Sequence, residues 1–218
     1  MNSKTAIERK LETEKYLKEL KIPYIDHLPT IEEESETLIR TAESISKRIL
    51  ILTYLCYVGE EEDGKEEVVK FLKKYDLWEE TSPNEKELLI SKKELTNQDR
   101  INISWKSECI WLLLWVIGKF EKLELPIQEA SIPEILEYIP EFMTNPSNFI
   151  KTAKLRNKSE IMDASDLNYR LHWATRNAEL NNEDSTKLNP SVVMERHYAI
   201  NWVTNYEGLE WDKITTDT

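Results

Sequence analysis

Apolar residues recur along this chain at spacings of three and four, while strict alternation of apolar and polar positions is nearly absent, so the pattern predicts helices. Only four glycines interrupt it. The first segment, Lys4 to Leu20, is highly charged with few apolar anchors, and Pro23 and Pro29 force an extended stretch from Ile22 to Ile31. Residues 1–35 read as an extended N-terminal arm laid on the body. Thr30 and Glu33 have capping-box spacing, which predicts a helix through Leu38, Ala42, Ile45, Ile49, Leu52 and Cys56 that stops near Gly59. After the acidic loop Glu60-Glu61-Glu62-Asp63-Gly64, a shorter helix from Glu66 to Tyr75 turns Val68, Phe71 and Leu72 inward. Ser82-Pro83-Asn84-Glu85 opens another, running to about Leu89.

A long helix is predicted from Asn97 to Gly118, with Ile101, Trp105, Glu108, Leu112 and Trp115 along one face. Pro126, Pro133, Pro140 and Pro146 break up the next stretch, leaving short pieces at Pro133 to Tyr138 and Ser147 to Leu155. From about Ser159 a helix carries Leu167, Leu171, Ala174 and Ala178 on one face and stops in the polar run Asn181-Asn182-Glu183-Asp184-Ser185. Asn189-Pro190 opens the last helix, which reaches about Tyr206, ends at Gly208 and leaves an irregular tail holding Trp211, Asp212 and Asp217. The expected architecture is one all-α domain, a multi-helix orthogonal or bundle-like body. It comprises the arm, a first helical half at 36–118, a proline-rich connector at 119–146 and a second helical half at 147–218.

Composition narrows the setting. The chain is 40% apolar and 32% charged over 218 residues, with no apolar run near the ~18 residues of a membrane span and no secretory signal at its start, so a cytoplasmic protein is expected. A net charge of −12 repels phosphate backbones, so neither nucleic acid nor membrane is an expected partner. Cys56 and Cys109 fall in apolar helical runs without CxxC or Cys/His spacing and read as reduced core residues. Phosphate-cradling glycine loops and the GxSxG elbow are absent, as are HExxH and HxxEH arrangements, so neither cofactor nor metal is expected.

Two segments mix His, Arg and Trp more densely than folding alone requires: Tyr169-Arg170-Leu171-His172-Trp173-Ala174-Thr175-Arg176 and Glu195-Arg196-His197-Tyr198-Ala199-Ile200-Asn201-Trp202. Arg170, Trp173 and Asn177 share a helical stripe with Asp163 and Asp166, and Asp166–Arg170 has the i,i+4 spacing of a surface ion pair. His172 and His197 titrate near neutrality when free, yet no spacing forces them together. Glu195 lies about 200° around the helix from His197, so one metal cannot use both. Glu108, among Trp105, Trp111 and Trp115, requires a cation such as Arg170, Arg196 or Arg100. The candidate binding set is therefore Trp105, Glu108, Arg170, His172, Trp173, Arg176, Glu195, Arg196, His197, Trp211 and Asp212. It predicts a non-catalytic binding module for a protein partner or an anionic small molecule. The alternative is an enzyme with a His/carboxylate acid–base pair acting on an anionic substrate.

Across nearly its whole length the chain resembles a bacterial family catalogued as domain of unknown function 4272. The resemblance rests on Arg9-Lys10, Ile22-Pro23, Leu28-Pro29 with Ile31-Glu32, and Arg40-Thr41-Ala42-Glu43. It continues through Arg100-Ile101, Trp105, Glu108 and Leu114-Trp115-Val116-Ile117-Gly118. It is closest at Tyr169-Arg170-Leu171-His172-Trp173-Ala174, Glu195-Arg196-His197-Tyr198-Ala199, Trp211-Asp212 and Thr216-Asp217-Thr218. Two positions depart from the family pattern: Lys106 stands where Arg is usual, and Lys21 where Gly is usual. The resemblance implies an all-helical bacterial protein and a single unit, and it carries no activity, cofactor or functional residue.

Overall fold

A computed structural model describes residues 4–183 and 187–218. The described chain is all-α: α1 Ala6–Leu20, α2 Ala42–Glu60, α3 Lys65–Lys74, α4 Pro83–Ile90, α5 Asn97–Ser104, α6 Lys106–Val116, α7 Ile132–Tyr138, α8 Ser147–Thr152, α9 Lys158–Asn181 and α10 Pro190–Val203. Two of these, α2 and α6, are apolar nearly all round and form the middle of the main core, as helices without a polar face must. From α6 the packing passes to α10, then α9, and α1 covers the far side of α9. Leu17, Ile22, Leu171, Ala174, Leu188 and Val193 form a second apolar cluster under α1.

The first half of the arm is helical despite its charge. Thr5 and Glu8 close a capping box, and α1 buries Ala6, Arg9, Thr13, Glu14 and Leu17 against the body. It stops at Lys21, which sits at φ 60 in the left-handed conformation that ordinarily selects glycine.

The Thr30–Glu33 pattern does not start a helix. Glu33 instead accepts a hydrogen bond from the Ala6 amide at 2.9 Å, capping α1, and the next helix begins at Ala42 behind Thr41, leaving Leu38 exposed. A distant orphan N–H has outcompeted the local box. At its other end α2 runs one residue past Gly59, where an added Cβ would meet Ile103 Cγ2 at 2.8 Å, so that glycine serves the close approach of α5.

The expected helix from Asn97 to Gly118 is interrupted at Trp105. Ser104 and Ser107 hydroxyls donate to the carbonyls of Ile101 and Ser104, and the Glu108 amide bonds three residues back to Trp105, tightening the turn. The Ser82 capping box of α4 and the inward Val68, Phe71 and Leu72 are as the sequence predicts. In α9, Asn182 takes the left-handed cap, and residues 184–186 at the end of the predicted polar run lie outside the described residues. Left-handed Asn205 ends α10 before Tyr206 is reached.

Candidate functional site

Glu195, Arg196 and His197 are consecutive on α10, so they leave the helix about 100° apart and meet three different neighbours. Glu195 reaches α6, where Lys106 Nζ lies 2.8 Å and the Cys109 thiol 3.1 Å from its carboxylate. Burial opposes charge on Lys106, yet Cys109 and Glu195 beside it hold its pKa above the ordinary amine value. Arg196 donates from Nε to Glu108 at 3.2 Å and from a terminal nitrogen to the Glu124 carbonyl at 2.7 Å. Glu108, 0% exposed, also accepts the Ala130 amide; burial raises its pKa while these partners pull it back. Of the three arginines offered for Glu108, the partner is Arg196.

His197 turns to α9 and meets His172, with 2.9 Å between the two Nδ1 atoms and the rings edge to face. One imidazole donates and the other accepts, so at least the acceptor is neutral. Burial lowers the His197 pKa to about 3, with His172 adding to the effect, and lowers that of His172 to about 4, with Arg176 adding. Among the described residues, Nδ1 is the one ring nitrogen of His197 that has a hydrogen-bond partner.

Beside His197 opens a cavity of about 380 Å³. Its buried polar groups are Ser165 of α9, His197 and Asn201 of α10, and Thr204 at the C-cap of α10, and Tyr169 and Tyr206 add two rings. Residues 29–32 form a second wall, and Asp217 and Thr218 of the tail a third. Asn201 fixes that tail by donating to the Thr215 carbonyl at 2.9 Å. His172 lines a separate depression with Thr175, Arg176 and Thr216, so the tail passes between the two openings.

The remaining predicted residues do not join this site, and the eleven do not share one concave face. Arg170 and Asp166, 1% and 0% exposed, form a two-bond pair under α1 rather than a surface pair, and Arg170 also donates to the Pro29 carbonyl. Arg176 is exposed beside Glu179 at 3.5 Å, and Trp105 and Trp173 are half-buried. Trp211 is buried edge-on against Tyr198 and Trp202, with the Arg48 guanidinium 4.7 Å from its ring centre. Asp212 anchors the tail to α4, accepting from Ser82 Oγ at 2.6 Å and the Asn84 amide at 2.9 Å.

Sequence reasoning missed Ser165, Tyr206 and Glu32 as cavity residues and Arg9 as a clamp. Arg9 is 1% exposed and joins Asp163 and Glu34, each at 2.8 Å. Tyr169 lies inside one of the two His/Arg/Trp segments, but nothing local marks residues 29–32 as a wall. No group of three or more His, Cys, Asp or Glu among the described residues is placed to hold a metal ion. Nor is any described helix long and apolar enough to cross a membrane.

Fold and site together define an all-α protein with a neutral histidine pair set beside a tail-walled cavity. The chain belongs to the family described as Domain of unknown function (DUF4272), whose profile matches residues 9–214. No curated protein and no solved structure matches the chain.

Proposed function

We propose that this chain is a non-catalytic binding protein that holds a small polar ligand in the cavity beside His197. The observation that carries the reading is a buried imidazole, 2% exposed and fixed at Nδ1, that lines a cavity with its second nitrogen available. Pre-formed concave sites with a few fixed polar groups are where small ligands bind. Arg170, Arg176 and Arg196, the arginines that suggested an anionic ligand, each meet a carboxylate of the chain itself.

The same pair weighs against acid–base catalysis. A base works best with a pKa near the operating pH, and burial leaves His197 at about 3. The test is a thermal-shift screen of polar metabolites on the full chain and on Thr30→Trp, an exposed wall position where an indole fills the mouth without entering the core. Hits that stabilise the parent and not the variant support the reading. Equal shifts in both, or none, refute it.

A further inference from the structure

Resting on that reading, we infer that the ligand is a small organic cation, an amine or ammonium compound, held by Glu32 and Asp217 and the rings of Tyr169 and Tyr206. The side chains lining the cavity include these two carboxylates and no lysine or arginine. Neither carboxylate enters an ion pair among the described residues; Asp217 accepts only from the Thr215 hydroxyl, at 2.9 Å. The buried carboxylates Asp166, Glu85, Glu108 and Glu195 each face a cation of the chain, whereas Glu32 and Asp217 are exposed at the cavity without one among the described residues.

The nearest candidate cation is already committed. The Arg170 guanidinium lies 5.9 Å from the Tyr169 ring centre, but its Nε and Nη2 donate to Asp166 and the Pro29 carbonyl, and its Nη1 lies 3.6 Å from Glu14. Burial raises Tyr169, with Arg170 opposing and Asp166 and then Glu32 adding, and burial raises Tyr206, with Glu207, Glu32 and Asp217 adding, so the charge of Glu32 reaches both rings. Carboxylates next to aromatic faces attract an ammonium group twice over, through charge and through the ring quadrupole. An anion there meets two negative charges and no compensating donor cation. Below this acidic rim lies a neutral floor of His197, Ser165, Asn201 and Thr204, which suits hydroxyl or amide groups on the remainder of the ligand.

The experiment is an NMR titration of the full chain, monitoring the tyrosine and histidine ring signals. The probes are ethylammonium, tetramethylammonium, acetate, phosphate and glycerol at fixed ionic strength. Saturable shifts of the Tyr169, Tyr206 and His197 rings with the ammonium probes are expected. Binding should weaken about tenfold in Glu32→Gln/Asp217→Asn, equivalent to about 1.4 kcal/mol. Both substitutions fall on exposed side chains, so the variant's unchanged melting temperature confirms that it folds. If acetate, phosphate or glycerol shifts those rings and the ammonium probes do not, the cation assignment fails and the cavity reading stands. If none of the probes shifts them, both fail, and equal ammonium affinity in parent and variant also overturns the assignment.

Discussion

The side of α10 that faces α6 and the side that faces α9 solve the same problem differently. Toward α6, Glu195 and Arg196 are charged and buried, and each meets an opposite charge plus a further hydrogen bond. Toward α9, His197 and His172 are neutral, satisfy each other once, and leave His197 with a free nitrogen on a cavity. A buried charge without a partner is far costlier than a buried neutral group with one bond unmade. The most conspicuous charges of the motif are therefore committed to the scaffold, while the neutral side keeps a ring nitrogen on a cavity.

The largest expected effect separates the two sides by stability. Arg196→Ala strands Glu108 and should cost about 3–5 kcal/mol in urea unfolding, with much of the loss recovered in Arg196→Met/Glu108→Gln. His197→Phe removes one neutral hydrogen bond, keeps an aromatic ring that can extend into the cavity, and should cost only ~1–2 kcal/mol. Equal losses would erase the distinction.

Acidification sharpens it. The folded pKa values of the pair lie below the ordinary 6.5, so the unfolded chain takes up protons first. Their contribution is complete above pH 6.5 and fades as pH falls toward about 4 for His172 and about 3 for His197. The parent should therefore lose stability more steeply than His197→Phe between pH 6.5 and 4, by up to about 1.4 kcal/mol per pH unit from His197. Parallel curves would mean that the pair is not held neutral.

Two smaller effects lie away from the pair. Lys21→Gly relieves a left-handed residue and should stabilise α1 by about 1 kcal/mol or less, since glycine's greater unfolded freedom offsets part of the gain. Burial pushes Cys56 up to about 12, and it raises Cys109 well above its ordinary value, with Glu195 adding. Neither thiol should react with a disulfide reagent at about pH 8 until the chain unfolds; rapid labelling of Cys109 would show the α6 side to be open.

Local chemistry made some features legible and tertiary competition hid the rest. The α4 start could be read because Ser82 and Glu85 bond within one turn. The same spacing at Thr30–Glu33 misleads, because Glu33 has a better partner on α1. The need of Glu108 for a cation was legible from its apolar neighbours, whereas the pairing of His172 with His197 depends on how α9 and α10 slide past one another, which no single-helix period encodes. Arg170 and Asp166 looked like surface residues because the cover that buries them is α1, a helix too charged to announce a buried face.

The tail has a consequence for folding order. The cavity draws on residues 29–32, on Ser165 and Tyr169, on His197, Asn201, Thr204 and Tyr206, and on Asp217 and Thr218, with Trp211 and Asp212 pinning the tail to α4 and α10. Such non-local closure is entropically late. A folding chain holds no complete pocket until Asp217 and Thr218 have docked, so ligand capture would report that all three walls have closed.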